Sequence, residues 1–310
     1  MAIGERPDRI NIKDLFQPWE PRETESTSTP TSDGPAADRQ RIDLAQLLTG
    51  LSLFAWQFLD RAEAAGFSPR EETISETLLV EMTSQAPQRV LVHKTSTAEE
   101  VQTGADFAWA INIDGSLWLN LLVQAKKLNC RSRMYQELRG ESAITQAINL
   151  LAEAAGSEAV PLYLFYNGRS LGDDGALLEL NACSRGSLVR GSEGPLWASH
   201  GSQTPAGCTV AAAEAVKELL LDGRARDLSE VRRIAAPWEC LLCPVIGGRG
   251  RPTMLPWPDK SVGPDAPDRG TNIPWLREAP PQWAAMLLEG ENPEDDPRAP
   301  AARYFTVLRA

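Results

Sequence analysis

Histidine and cysteine are scarce in this sequence, and their scarcity excludes several kinds of site. The 310 residues include two histidines and five cysteines. Two histidines are too few for a histidine-rich metal cluster. An odd number of cysteines in a chain of this size is typical of reduced thiols in a cytoplasm, not of a disulfide framework. The pair in "WECLLC" has zinc-ligand spacing but no second such pair exists, so a zinc site is left open for Cys183, Cys208, Cys240 and Cys243.

An excess of positive charge and long apolar runs are also lacking. The chain has 31 basic and 42 acidic residues, a net charge of -11. This charge argues against unspecific binding of nucleic acid, although a local basic groove stays open. The amino terminus carries no apolar leader, and the most apolar stretch, "LAQLLTGLSLFAWQFL", is too short and too polar to span a membrane. We therefore expect a cytoplasmic protein without membrane contact.

Hydrophobic periodicity divides the chain into three parts. Residues 1–40 lack any apolar period and predict a flexible arm. Residues 41–167 predict a core with a leading helix. Residues 168–310 predict a mostly helical and irregular extension packed on that core. Within the extension, residues 244–300 contain 12 of the 23 prolines, so we expect them to wrap the surface instead of building sheet.

The sequence of the core predicts an α/β fold with the order α-β-β-β-α-β over residues 68–167. "SPRE" predicts the start of the first helix, with Ser68 as N-cap and Glu71 completing a capping box. "RVLVHKT" predicts a strand, and a hairpin with a turn at Asp114-Gly115 follows. "SAITQAINLLAEAAG" predicts a helix and "VPLYLFYN" a buried strand. Further along, "TVAAAEAVKELLLDG" and "DLSEVRRIA" predict helices.

The hairpin carries polar side chains at its open end. Asp106 begins the first strand, and Gln124 and Lys126 end the second. Because side chains alternate along a strand, Gln124 and Lys126 share a face. Asp106 shares that face only if the turn has an odd number of residues, as in a three-residue loop with glycine in the left-handed conformation, or if a strand is bulged. We predict one of these arrangements.

These residue types suit the hydrolysis of a phosphodiester. The Asp106 carboxylate, the Gln124 side-chain oxygen and the Ala125 carbonyl are ligands for Mg²⁺ or Mn²⁺, and Lys126 can stabilise developing negative charge. A single carboxylate would bind a divalent cation weakly, so another acid is expected from the preceding helix. We favour Glu76, with Glu72 and Glu100 as alternatives.

The pattern resembles the PD-(D/E)XK nuclease superfamily, in the Gln-x-Lys variant of its Mrr-like branch. The resemblance covers residues 68–167 and implies a restriction-endonuclease-like core. It also implies a Mg²⁺-dependent endonuclease that cleaves DNA, with RNA left open, in defence against foreign DNA. A homodimer or a partner protein of a defence system is left open too. Two departures are Gln124, where the superfamily usually has an acid, and the absence of proline before Asp106. Through "TGAD", "QAK", "LYLFYN" and "PWECLLCP", the wider chain resembles an uncharacterised bacterial domain family.

Other interpretations compete with this hypothesis. Gln124 fits a nuclease fold that has lost catalysis and serves as a binding or assembly module. Ser170 in "YNGRSLG" matches a hydrolase nucleophile motif, but no helix is predicted after it. His93 is expected to be packed or paired. A group of basic residues after the second hairpin strand fits either a phosphate track or solvated charge: Lys127, Arg131, Arg133 and Arg139.

Overall fold

One mixed β-sheet with helices on both faces organises this protein, whose computed structural model describes residues 36–95, 104–113, 115–168, 207–245 and 276–309. The α/β class predicted from the sequence is confirmed. Among the described residues, no helix is both long enough and apolar enough to cross a membrane.

Helices and strands are interspersed along the chain. The helices are α1 (Ala36–Ala64), α2 (Glu71–Gln85), α3 (Gly140–Gly156), α4 (Ala213–Leu221), α5 (Leu228–Ile234) and α6 (Gln282–Glu289). The strands are β1 (Val90–Lys94), β2 (Phe107–Asn112), β3 (Trp118–Lys127), β4 (Val160–Tyr166), β5 (Cys208–Ala212), β6 (Ala236–Pro237), β7 (Leu276–Arg277) and β8 (Tyr304–Leu308). Short 3₁₀ helices cover Trp238–Val245 and Pro293–Asp295.

The sheet has the strand order β1-β8-β2-β3-β4-β5-β6, and β7 pairs with the start of β3. β2 and β3 form an antiparallel hairpin, and β3 pairs in parallel with β4 after the chain has crossed over through α3. The predicted order α-β-β-β-α-β is thus confirmed by α2, β1, β2, β3, α3 and β4.

Alternation along β2 separates two hydrophobic cores, one on each face of the sheet. Phe107, Trp109 and Ile111 lie in a core with side chains of α1, α2 and Trp238. Ala108 and Ala110 lie in the other core with side chains of α3, α4, α5 and α6. All six residues of β2 are buried, because both faces of the sheet are covered by helices.

The carboxy-terminal part of the chain contributes more sheet than its sequence indicates. β8 lies between β1 and β2, antiparallel to the first and parallel to the second. The prediction of helix for "TVAAA" was wrong, because residues 208–212 form β5 between β4 and β6. Their small buried side chains fit under helices on both faces of a sheet, and α4 begins only at Ala213.

The start of α2 also differs from its prediction. The helix begins at Glu71 with Arg70 as N-cap and without a side-chain cap, so the capping box at Ser68 was wrong. The Ser68 hydroxyl instead accepts a hydrogen bond from Lys127 Nζ at 3.0 Å. α1 begins at Ala36, and residues 1–35 of the predicted arm lie outside the described residues. Glu100, Asp114, Ser170, Cys183 and the side chains of Cys240 and Cys243 lie outside them as well.

Candidate functional site

The turn of the β2–β3 hairpin sets which face Asp106 occupies. The last residues joined across the hairpin are Ile113 and Leu117, whose N–H and carbonyl lie 2.8 Å apart, so three residues intervene. Gly115 has the left-handed φ of 86°. The predicted odd-membered turn is confirmed. Asn112 pairs with Trp118 and Phe107 with Val123, so Asp106 comes directly opposite Gln124 and on the same face of the sheet.

Neighbouring strands hold the backbone of Asp106 on both sides. Its N–H donates to the carbonyl of Val123 at 2.8 Å, and its carbonyl accepts from the N–H of Tyr304 in β8 at 3.1 Å. Two residues earlier, Gly104 has a φ of 74°, and a Cβ there would lie 2.6 Å from the Gln146 carbonyl oxygen of α3. Glycine is therefore required where the chain enters β2, and Asp106 is held in a fixed position.

Oxygen atoms from two residues converge beside Gln124. Its amide Nε2 donates a hydrogen bond to Asp106 Oδ2 and a second one to the Ala125 carbonyl oxygen at 3.1 Å. The N–H of Ala125 donates to the same Asp106 oxygen at 2.7 Å. Both acceptors were predicted cation ligands. The amide nitrogen of Gln124 thus lies between the Asp106 and Ala125 oxygens. A cation would be attracted to the same position.

The chemistry of these donors fits a hard divalent cation. Burial is the largest effect on Asp106 and raises the pKa of its carboxyl, while the Ala125 N–H and Lys126 act in the opposite direction. A buried carboxylate gains from a cation ligand. Among the described residues, no group of three or more His, Cys, Asp or Glu side chains could hold a metal. A cation bound here would therefore need neutral oxygens in addition to Asp106.

Lys126 lies two residues beyond Gln124 and is 3% exposed. Its ammonium nitrogen is 3.4 Å from Glu137 Oε2 and 3.9 Å from Glu71 Oε2. Glu71 Oε1 also accepts from the backbone N–H of Lys127 at 2.6 Å. Burial, opposed by Lys126 and supported by Glu137, raises the pKa of Glu71 to about 8. Lys126 is therefore a buried cation held between two acids.

The helix acid that the structure brings to Lys126 is Glu71 and not Glu76. Glu76 Oε1 accepts from Lys94 Nζ at 2.8 Å and from the Tyr304 hydroxyl at 2.7 Å. Glu72 lies 3.5 Å from Arg303 Nη1. Because α2 starts at Glu71, the first residue of the helix lies over the end of β3. Glu76, more than a turn further along, faces β1 and β8. The sequence signal at Glu71 was misread as a capping box.

Tyr163 is a further residue beside the site that sequence reasoning missed. It lies opposite Gln124 in the parallel register of β3 and β4. Its side chain is fully buried, and its hydroxyl has no hydrogen-bond partner among the described residues. Burial raises the pKa of this hydroxyl, and the charge of Asp106 adds to the effect. "VPLYLFYN" was read only as a buried strand, so the polar end of Tyr163 received no role.

The remaining candidates have ordinary partners. His93 Nε2 lies 2.9 Å from Glu294 Oε1, as expected for a paired histidine. Lys127 Nζ donates to the carbonyl of Pro69 at 2.6 Å as well as to Ser68, which ties it to the start of α2. Cys208 is buried in β5, where burial raises the pKa of its thiol.

Comparison with protein-family models finds a family that covers most of the chain. Residues 44–309 match the model described as "Family of unknown function (DUF6615)". The chain belongs to this family. The match includes the hairpin, α2 and β8, so the site and the strand that supports it are all within the family domain. No curated protein and no solved structure matched the chain.

Proposed function

We propose that this family member is a metal-dependent nuclease that hydrolyses phosphodiester bonds of DNA at the open end of the β2–β3 hairpin. The observation that carries the proposal is that three polar side chains lie on the same face of the sheet. Asp106 lies opposite Gln124, and the buried Lys126 follows two residues later on the same strand. This is the arrangement that the resemblance to PD-(D/E)XK nucleases requires.

Mg²⁺ or Mn²⁺ would be held by Asp106, by the Ala125 carbonyl and by the side-chain oxygen of Gln124. The amide of Gln124 must then turn over, because its nitrogen faces the two acceptors in the metal-free arrangement. Such a cation supplies Lewis-acid polarisation of a phosphate oxygen when it is bound.

Lys126 would donate to the phosphate oxygen on which negative charge develops. Burial of a lysine ammonium costs desolvation energy, and buried charges are often found at functional sites, which supports a chemical role. Glu71 and Glu137 would hold its ammonium group in position between them. A part in defence against foreign DNA follows only from the restriction enzymes that the pattern resembles.

A second candidate function is a nuclease fold that binds or assembles without cleaving. The observation that favours it is the hydrogen bond from the Gln124 amide to Asp106, which satisfies the carboxylate without a metal. At the open end of the hairpin, Asp106 is also the only acid that the two strands offer.

Cleavage of supercoiled plasmid and of single-stranded DNA by the purified protein tests the proposal. We expect nicking or linearisation with Mg²⁺ or Mn²⁺, none in EDTA, and none from Asp106→Asn. Asp295→Asn, in the 3₁₀ helix Pro293–Asp295, is the control for loss of an acid away from the site. Cleavage by the Asp106→Asn protein at the wild-type rate would reveal a contaminating nuclease and contradict the proposal.

A further inference from the structure

A surface rich in arginine borders the candidate site beyond the end of β3. It consists of residues 129–139 and 224–233, and we call it the arginine surface. The two segments contain seven arginines and three acids, a net charge of +4, whereas the whole chain carries -11. Glu63 and Asp222 lie outside the two segments but pair with Arg131 and Arg224. The surface stays positive when these two acids are counted, against the sign of the rest of the protein.

The two segments of the arginine surface are joined by backbone contacts. Met134 bridges to Asp227, and the N–H of Tyr135 donates to the carbonyl of Arg226 at 3.0 Å. Hydrogen bonds from Ser229 lower the pKa of Asp227, and the charges of Arg133 and Arg233 lower it further. Because these two arginines come from different segments and act on one carboxyl, both segments contribute to one positive field.

This surface begins where the candidate site ends. Glu137 belongs to its first segment, and the Glu137 carboxylate lies 3.4 Å from Lys126 Nζ. The first segment also follows directly from β3, whose last residue is Lys127. A chain of phosphates that reaches Lys126 therefore has the arginine surface as its neighbour.

Several guanidinium groups of the surface are accessible to a ligand. The side chains of Arg131 and Arg233 are 74% and 72% exposed, and their acid partners are Glu63 at 3.8 Å and Glu230 at 3.0 Å. An arginine this exposed gains little from a single acid neighbour, so its guanidinium can turn to a phosphate instead.

We propose that the arginine surface binds the phosphate backbone of double-stranded DNA and leads it to Lys126. Arginines spread over two joined segments match the successive charges of a duplex, whereas one phosphate group would need only a few of them. The destination at Lys126 rests on the proposed function, but binding to the surface does not require cleavage.

Fluorescence anisotropy with a labelled DNA duplex tests this proposal in EDTA, where a metal-dependent nuclease does not cleave. The variant Arg131→Gln/Arg233→Gln removes two exposed arginines of the surface. Its matched control, Arg277→Gln/Arg298→Gln, removes two arginines with side chains 50% and 77% exposed, each of which is also near one acid. Arg277 pairs with Trp118, at the opposite end of β3 from Lys126. Both variants change the net charge equally.

We expect the surface variant to bind on the order of tenfold more weakly at about 150 mM salt, with the slope of log K against log salt smaller by about 1.8. The control should bind as the wild type does. Equal weakening of both variants, or none in the surface variant, would overturn the proposal. Preference of the surface for vesicles containing phosphatidylserine over the duplex would also overturn it. Arginine-dependent binding without cleavage in Mg²⁺ or Mn²⁺ supports the surface and contradicts only the proposed nuclease.

Discussion

The amide of Gln124 donates a hydrogen bond to the carboxylate of Asp106 across the β2–β3 hairpin. The pair exists because three residues intervene between Ile113 and Leu117, which keeps both side chains on one face. In this arrangement the carboxylate is satisfied by a neutral donor. A cation could replace that donor only if the amide turned its oxygen inward. The same two residues thus form a hydrogen-bonded pair without metal, and under the proposed function they would form a cation site once the amide had turned.

Gln124→Glu should therefore make the protein more dependent on metal. Without a cation, two carboxylates would face each other and the donor to Asp106 would be lost, at a cost on the order of 1–3 kcal/mol. With Mg²⁺ or Mn²⁺, the added charge should strengthen binding. We expect a lower melting temperature than wild type in EDTA and a larger rise on addition of Mn²⁺, as measured by differential scanning fluorimetry.

Asn120→Asp is the matched control for this substitution. Asn120 is buried on the same face of β3, and its amide donates to the carbonyls of Ser157 and Glu158. Its replacement also puts an acid in place of a buried amide donor, so it should lower the melting temperature in EDTA. It should show no larger response to Mn²⁺ than wild type. An equal response from both variants would mean that the metal does not act at the Asp106–Gln124 pair.

The order of the elements could be predicted because it depends on local periodicity. The strands β2 and β4 and the helix α3 each have a hydrophobic pattern that predicts them. The odd number of residues in the β2–β3 turn was predicted because Asp106 and Gln124 had to share a face. No local pattern in the sequence predicted the position of β8 in the sheet. Its pairing of Thr306 with both Val92 and Trp109 joins residues about 200 positions apart, and no local pattern encodes such a contact.

The helix acid that contacts Lys126 is not the predicted Glu76, and the reason is different. "SPRE" is a good capping sequence, and a helix that started at Ser68 would have used Glu71 to cap itself. In the structure Glu71 instead accepts from the N–H of Lys127. A tertiary contact has overridden a local preference by moving the start of α2. Tyr163 was missed because a tyrosine in an apolar run reads as core.

Removal of residues 304–310 should prevent folding. β8 supplies five buried residues and pairs with both β1 and β2. Its four apolar side chains together contribute about 6–12 kcal/mol of burial, which approaches the total stability of an ordinary domain. We expect insoluble or molten protein by near-UV circular dichroism. Removal of only Arg309 and Ala310 is the control and should leave a cooperative unfolding transition. A folded protein without β8 would mean that the core of residues 41–167 is stable alone.

Replacement of Glu71 and of Glu76 by glutamine should change stability in opposite directions at high pH. Burial raises the pKa of Glu71 to about 8, so the folded protein holds a proton there that the unfolded chain releases near its ordinary pKa. The stability from that proton is present at low pH and is lost as the pH rises through about 8. Hydrogen bonds from Lys94 and Tyr304 lower the pKa of Glu76, so its ionised form stabilises the fold above the ordinary pKa.

Thermal unfolding in EDTA at pH 5 and pH 9 measures the difference. Glu71→Gln should raise the melting temperature at pH 9 relative to wild type and change it less at pH 5, because a neutral side chain removes the cost of a buried charge. Glu76→Gln should lower it slightly at pH 9, by no more than an exposed ion pair is worth. If both variants shifted in the same direction at pH 9, the different environments of these two acids would be refuted.

Lys126 and Asp106 should be separable by their effects on cleavage and on metal binding. Lys126→Met keeps the volume and packing of the side chain but removes its charge. Since lysine is not a metal ligand, the Mn²⁺-induced rise in melting temperature should persist while DNA cleavage falls about a thousandfold, which corresponds to about 4 kcal/mol of transition-state stabilisation. Asp106→Asn should lose both the cleavage and the Mn²⁺ response, because the only carboxylate among the described residues of the hairpin disappears.

Lys127→Met is the neighbouring control, because Lys127 Nζ contacts Ser68 and Pro69 at the start of α2 and not Glu137. It should keep most of the cleavage activity and the full Mn²⁺ response. Substrates should include plasmid, linear duplex, single-stranded DNA and RNA, assayed in Mg²⁺ and in Mn²⁺. If the wild type cleaves none of them, and the wild type and Lys126→Met respond to Mn²⁺ no more than Asp106→Asn, the hairpin is not a catalytic centre. Its buried Lys126 then serves to hold Glu71 and Glu137, and the fold acts as a binding module.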